Sequence, residues 1–271
     1  MKNLYDLGET VHHALELEMD FDIVYSGVSA KLKFLNEDGS NMNSHKYMEH
    51  FIKNRGSHLS QMTIQEVKKR METGLYVPKN TDVNRHLFST IAFNPDNITK
   101  FLEKPGCSVD INSCYWNTAH NITVISDKLC EYGFKEPKLW KDARNIAIGS
   151  LGTSVKVEKY RNGKLVEVSP YTPRPTNVCR LDVIDHVWDV CLNKIRPKLK
   201  KNFLTFLTDC FFVPIKSKDL VLEQLHKYGY EAKIKDAHFT AMRDLGTGTY
   251  KVIWETQMGT KSQHFNTSNI V

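Results

Sequence analysis

The chain has no run of apolar residues near the roughly 18 that a membrane-spanning helix requires. Met1–Leu7 is followed by acidic residues rather than the apolar core of a secretory leader. There is no internal repeat and no low-complexity segment. The six cysteines, Cys107, Cys114, Cys130, Cys179, Cys191 and Cys210, form neither a CxxC pair nor a zinc-finger spacing. His12-His13, His45 and His50 likewise lack the paired spacing of a zinc site. These absences lead to an expectation of free thiols in a reducing, cytoplasmic setting and of no membrane partner. Charge is not extreme in either direction: 37 Lys and Arg against 31 Asp and Glu give +6 and a pI near 8.8. That balance is compatible with a polyanionic partner and does not establish one.

What is present is a hydrophobic fraction of 41% over 271 residues, enough for a real core in one large domain or two small ones. Ile23–Ser26 and Leu32–Leu35 read as strands, with a turn at Glu37-Asp38-Gly39. Thr63-Ile-Gln-Glu66 has the pattern of a capping box, predicting a helix from there to about Glu72, stopped by Gly74. Leu87–Phe93 reads as a strand. Lys104-Pro105-Gly106 is a break and the expected boundary between an N-terminal α+β region (1–105) and the remainder (106–271).

Beyond the break, Ser108–Ile111 reads as a strand. Ser126 is placed to cap a short helix ending at Gly133, and Pro137 to open a helix reaching about Leu151. Val155–Tyr160 and Lys164–Val168 flank Arg161-Asn162-Gly163, a strong hairpin signal. Leu181, Ile184, Val187, Trp188, Cys191, Leu192 and Ile195 recur at helical spacing, ending before Pro197. Phe203–Val213 is strand-rich with Thr208-Asp209 in its middle, and reads as a hairpin. Ser217 is placed to cap a helix running to Gly229. Glu231–Arg243 and Thr249–Glu255 read as a final strand pair. The order predicts an α+β fold with an antiparallel sheet.

Two aspartates, Asp110 and Asp209, each end an apolar strand-like run. A strand end exposes a carboxylate while its apolar neighbours anchor it, and two such groups can hold divalent ions for phosphoryl transfer. Either aspartate alone is as readily a turn or cap residue. Between them, Lys141, Asn145 and Gly149 recur every four residues and share a helix face, with Arg144 and Ile148 beside it. A lysine, an amide and bare backbone suit a triphosphate. A solvated face with a glycine kept for close packing is the other reading, since glycine costs roughly 1 kcal/mol against alanine in a helix. The cluster Lys194, Arg196, Lys198, Lys200 and Lys201 can neutralise nucleic-acid phosphates or simply solubilise a loop. Trp140, Trp188 and Trp254 can stack on bases or fill the core.

Three of these segments together carry a family resemblance. Asp110-Ile-Asn-Ser113-Cys-Tyr115-Trp resembles the first palm motif of family B DNA polymerases, DxxSLYP. Lys141-Asp-Ala-Arg-Asn145-Ile-Ala-Ile-Gly149 resembles their fingers motif, KxxxNSxYG. Thr208-Asp209-Cys-Phe-Phe-Val resembles the end of their second palm motif, DTDSxxV. The three stand in the family's order and cover roughly Cys107–Glu255. The resemblance implies a palm-like antiparallel sheet backed by helices, a short helical fingers insertion at about 126–152, and a small α+β N-terminal region. It implies that Asp110 and Asp209, with the Ile111 carbonyl, hold Mg²⁺ or Mn²⁺. It implies that Tyr115 lies beneath the incoming sugar and that Lys141 and Arg144 meet the triphosphate. Asn145 and Gly149 would shape the nascent base pair, and Lys198, Lys200, Lys201 and Lys251 would meet a DNA primer–template.

The implied activity is two-metal extension of a nucleic-acid 3′ end with nucleoside triphosphates. The pattern also departs from the family. Trp116 stands for a proline, Ile146 and Ile148 for serine and tyrosine, and Leu207 for the first aspartate of DTD. No proofreading exonuclease is readable, because Phe21-Asp22-Ile23-Val24 lacks its partner glutamate. Little chain remains for a thumb, so a protein partner would have to supply processivity. A palm-derived DNA-binding module without chemistry is the alternative these departures leave open.

Overall fold

The structure is a computed structural model that describes residues 5–26, 29–36, 38–48, 54–85, 90–135 and 137–271. The elements in chain order begin with α1 (Tyr5–Glu16), β1 (Phe21–Ser26), β2 (Ser29–Leu35), β3 (Asn41–Met48) and α2 (Asn54–Glu72). Next come β4 (Ile91–Phe93), α3 (Pro95–Phe101), β5 (Gly106–Ile111), α4 (Cys114–Asn121), α5 (Asp127–Phe134) and α6 (Pro137–Ser150). They are followed by β6 (Ser154–Arg161), β7 (Lys164–Val168), β8 (Thr172–Pro173), α7 (Asn177–Trp188) and α8 (Arg196–Leu199). The chain ends with β9 (Thr205–Leu207), β10 (Cys210–Pro214), α9 (Lys218–Lys227), β11 (Ala232–Asp244), β12 (Tyr250–Thr256) and β13 (Gly259–Phe265). The fold is α+β, with antiparallel sheets backed by helices.

Two compact units emerge. The first comprises Met1–Asn84 and Glu131–Arg180, the second Arg85–Cys130 and Leu181–Val271. The break expected at Lys104–Gly106 therefore falls inside the second unit, where Gly106 opens β5. A Cβ there would lie 2.6 Å from the Ala237 carbonyl, so close packing of β11 requires glycine. The helix α6, expected as an insertion, shares the first unit with the N-terminal region and packs along α2.

In the first unit the sheet runs β3-β2-β1-β6-β7, with β8 beside β6. The β6–β7 turn has Asn162 and Gly163 at φ 49° and 65°, the two positive dihedrals that a two-residue hairpin of this sequence demands. Phe21, Ile23 and Leu32 pack with Ala14 of α1. The helix expected to start at Thr63 starts at Asn54 instead. Thr63 is buried in mid-helix, and its hydroxyl donates to the Leu59 carbonyl 2.8 Å away. A threonine satisfied by the preceding turn mimics a cap in sequence without being one.

The second unit holds a seven-stranded sheet of order β13-β12-β11-β5-β10-β9-β4. Its centre, from β5 through α4 and α7 to the β9–β10 hairpin, then α9 and β11, follows a β-α-β-β-α-β path with β5 between β11 and β10. Side chains alternate across the pleat. Cys107, Val109, Ile111, Phe211 and Val213 pack against Val187, Cys191, Ile195, Val221 and Leu225 on one face. Phe212, Phe239, Trp254 and Phe265 form a second cluster with Ile98. A π-helical stretch, Asp189–Ile195, joins α7 to α8 and contributes Val190, Cys191 and Leu192 to the first core.

Two expectations are corrected in this unit and one is met. Phe203–Val213 forms the expected hairpin, turning at Thr208-Asp209. Ser217 sits at the start of α9 but makes no capping bond with its side chain. A further strand, β13, follows the expected final pair. Of the strand expected at Leu87–Phe93, Ile91–Phe93 forms β4, and 87–89 lie outside the described residues. All six cysteines are free and five are buried. Burial pushes the Cys107 thiol up to about 11. Among the described residues, no helix is long and apolar enough to cross a membrane.

Candidate active site

Asp110 and Asp209 come together in the second unit. Asp110 is the penultimate residue of β5, and Cys210, the first residue of β10, is its cross-strand partner. The Ile111 amide donates to the Asp209 carbonyl at 2.9 Å, which pins the end of β5 to the β9–β10 turn. Amide and carbonyl of one extended residue share an edge, so the Ile111 carbonyl also points toward that turn. The Asp209 amide does not take it, turning back to the Leu207 carbonyl at 2.6 Å. The row Leu207–Cys210–Asp110–Lys233 crosses four strands on one face, away from the helices of the first core.

The turn itself is strained. Thr208, a β-branched residue, has φ 55° at the first of two turn positions, where this hairpin type normally uses glycine. Such strain, of order 1–3 kcal/mol, persists where surrounding bonds fix it. Here the Thr208 amide donates to the Thr90 carbonyl at 2.8 Å, and its carbonyl accepts from the Tyr115 hydroxyl at 3.2 Å. Its own hydroxyl lies 2.8 Å from the Leu207 carbonyl and 3.1 Å from Asp209 Oδ1. The turn after Asp110 is also unusual, with Ser113 at φ 45° opening α4.

A lysine not expected from the sequence completes the group. Lys235 Nζ lies 3.0 Å from Asp110 Oδ2. Lys235 stands opposite Ser108 on β11, diagonal to Asp110 and within reach of a long side chain. The bond to Asp110 is the main cause that raises the Lys235 pKa. With the lysine side chain 56% exposed and the aspartate 30%, the pair contributes about 0.2–1 kcal/mol, so stronger ligands can displace it. The signal in the sequence was Lys233-Ile-Lys235, an alternation that puts both ammonium groups on one face of a strand.

Tyr115 is half-buried against the helix-backed core and binds the hairpin turn by its hydroxyl. Burial raises its pKa, so it stays a neutral donor. Beneath the pair, burial, followed by the charges of both aspartates, raises the Cys210 thiol. Lys198 is exposed and donates to Gln224 Oε1, and Lys200 and Lys201 are exposed beside it. Lys251 lies on β12 opposite Arg243 and His264, away from the Asp110 row.

The fingers-motif residues belong to α6 of the first unit. Asn145 and Gly149 are exposed on one stripe of it. A Cβ on Gly149 would meet nothing within 4 Å, so close packing is not its reason. The side chain of Lys141 lies outside the described residues. Arg144 is 4% exposed, donates to the Gly133 carbonyl at 2.8 Å, and its guanidinium carbon lies 4.5 Å from the Phe134 ring centre. Its charge is used inside the corner between α5 and α6.

Among the described residues no group of three or more His, Cys, Asp or Glu side chains could hold a metal. Two hard carboxylates and a main-chain carbonyl still suit magnesium, which keeps several waters and is usually bound by one or two carboxylates plus substrate phosphates. In comparison with known proteins, no family model and no curated protein matches this chain.

Proposed function

We propose that this protein is a compact, metal-dependent nucleotidyltransferase, similar to a family B DNA polymerase palm, that extends a nucleic-acid 3′ end with nucleoside triphosphates. The observation that carries the reading is the juxtaposition of Asp110 and Asp209 through the 2.9 Å bond from the Ile111 amide to the Asp209 carbonyl. The β-α-β-β-α-β path that delivers it supports the palm assignment.

In this reading Asp110, Asp209 and the Ile111 carbonyl hold Mg²⁺ or Mn²⁺. Such an ion supplies charge that favours deprotonation of the attacking 3′-hydroxyl and neutralises the phosphates. The two carboxylates orient the reaction at the α-phosphorus, from which pyrophosphate leaves. The Tyr115 ring supports the incoming sugar, and its hydroxyl fixes the Asp209 turn. Lys141, Asn145 and Gly149 of α6 are assigned to the nucleotide by the family resemblance. Arg144 is left out, because its guanidinium is buried in its own corner. Lys198, Lys200, Lys201 and Lys251 are assigned to the primer–template phosphates.

The test is extension of a labelled primer–template with Mg²⁺ or Mn²⁺ and each nucleotide set. Metal-dependent extension by deoxy- or ribonucleotides supports the reading. Tight DNA binding that is indifferent to metal, with no extension, supports the second reading, a palm-derived DNA-binding module. That reading is favoured by Leu207, which stands in the Asp110 row where the family motif has a carboxylate.

A further inference from the structure

We propose that the end of the second unit's sheet opposite Asp110 and Asp209 is a nucleic-acid surface that grips the duplex behind the 3′ end, with Lys104, Lys200 and Lys216 as its phosphate contacts. The inference rests on the reading above and names where the chain holds its primer–template.

The register fixes the direction. Asp110 and Cys210 face each other at one end of the β5–β10 pair, and Gly106 and Pro214 at the other. Three segments gather at that second end. Lys104-Pro105 leads into β5, Ile215-Lys216 follows β10, and Lys200–Phe203 leads toward β9. The Ile215 amide donates to the Pro105 carbonyl at 3.4 Å, which ties the first two together. Asn97 of α3, 5% exposed, ties α3 to the third segment. Its side-chain amide donates to the Phe203 carbonyl at 2.9 Å and to the Lys200 carbonyl at 3.5 Å.

Positive charge is concentrated here. Residues 95–104, 200–203 and 214–219 hold six lysines against three acids, Asp96, Glu103 and Asp219, which leaves +3, half of the chain's +6. Lys104 Nζ lies 5.5 Å and Lys216 Nζ 5.8 Å from the centre of the Phe101 ring, so the two ammonium groups are at most 11.3 Å apart. Among the described residues neither forms an ion pair. Two like charges drawn to one ring repel each other, and a duplex carrying one negative charge per about 1.7 Å of axis relieves that repulsion.

Lys200 is an independent sign. Its φ of 48° and ψ of −121° are those of the first central position of a type II′ turn, which glycine normally fills. Glycine would make this turn without strain; what lysine adds is an exposed ammonium. Pro214 lies four residues beyond Cys210, roughly 13 Å along the strand, and the lysines lie past it. A duplex laid along the strands with its 3′ end at the aspartates reaches them after about four to six base pairs.

The experiment measures binding of labelled primer–templates to the full chain by fluorescence anisotropy, with duplexes of about three and about ten base pairs over a salt series. Wild type is expected to bind the longer duplex on the order of tenfold more tightly. Lys104→Ala with Lys216→Ala is expected to lose that gain and to flatten the slope of log affinity against log salt by about 1.8, at about 0.9 per lost contact. Both lysines are exposed, and circular dichroism checks that the fold is kept. Lys69→Ala with Lys227→Ala, an equal charge removed from exposed positions of α2 and α9, is expected to keep the gain and the slope. Lys200→Gly is expected to raise the thermal midpoint by about 2–4 °C and still to weaken binding of the longer duplex by about threefold. Equal affinity of wild type for the two duplexes, a Lys104/Lys216 variant that binds like wild type, or a Lys200→Gly chain that gains stability without losing affinity would overturn the inference. Mg²⁺-dependent extension by wild type on the same preparation would then leave the reading above in place. The same gain from a single-stranded extension of equal length would overturn the assignment to duplex. Absence of salt-sensitive DNA binding by wild type would overturn the inference together with that reading.

Discussion

In the first unit's sheet the carboxylates lie within strands and are tied to neighbours. Glu158 accepts from Tyr25 at 3.0 Å, Tyr160 at 3.3 Å and Lys156 at 2.5 Å, and Asp22 pairs with Arg161 at 2.9 Å. In the second unit's sheet, Asp110 and Asp209 stand at a strand end and in a strained turn. Their partners there include an exposed lysine and a bifurcated hydroxyl. Both sheets are antiparallel and carry charge, but the first uses its acids to fix strand register, while the second presents them where a ligand can reach. Position along the strand separates the two uses better than the residue type does.

The largest effect that sharpens this contrast is expected at Asp110. Asp110→Asn should lower primer extension on the order of 10³-fold, about 4 kcal/mol of transition-state stabilisation. Its urea midpoint should stay close to wild type, and both are read on the same preparation.

Glu158→Gln should do the reverse. It should lower stability by about 1–3 kcal/mol, the range for a hydrogen-bonded charge in a half-buried setting, and leave extension within about threefold. Burial acts to raise the Glu158 pKa, but the bonds from Lys156 and Tyr25 outweigh it, so the net shift is downward. A depressed carboxylate contributes stability that is present above its unfolded pKa of about 4.3 and lost as pH falls through the folded value. Denaturant titrations from pH 7 to pH 3 should therefore show a shallower acid decline in Glu158→Gln than in wild type. An equal decline would mean that Glu158 is not the anchor described.

Tyr115→Phe removes the bond to the Thr208 carbonyl and should cost about 0.5–1.5 kcal/mol of stability. It should keep the ring that supports the sugar, so its deoxy-to-ribo preference should match wild type, while Tyr115→Ala should admit ribonucleotides more readily. The smallest expected effect is at Gly149. Gly149→Ala meets open space and should stabilise by about 0.4–1 kcal/mol in thermal unfolding. If bare backbone there serves the nascent base pair, extension should fall despite the gain. Unchanged extension would make Gly149 an ordinary helix position.

How much was legible in the sequence follows from the physics of each segment. The β6–β7 hairpin was readable because Asn162-Gly163 tolerates two positive dihedrals at little cost. The β9–β10 hairpin is readable from the order of elements and from Thr208-Asp209 in the middle of a strand-rich run, although its turn uses a threonine at positive φ in place of glycine. The start of α2 is hidden in the sequence because Thr63 bonds back to Leu59, which no local pattern distinguishes from a cap. β13 leaves little trace in the sequence because Gly259–Phe265 is mostly exposed and only Phe265 is anchored in the core. Asp110 and Asp209 were legible from motif order, whereas their meeting depends on β5 lying between β10 and β11. Lys235 depends on a diagonal across strands more than a hundred residues apart, which spacing alone does not reveal.

The most direct measurement sets one carboxylate of each sheet against the other: Mg²⁺-dependent primer extension by wild type, Asp22→Asn and Asp209→Asn under identical conditions. The account predicts extension by wild type and by Asp22→Asn, and none above background by Asp209→Asn. Extension by Asp209→Asn at the wild-type rate would contradict it.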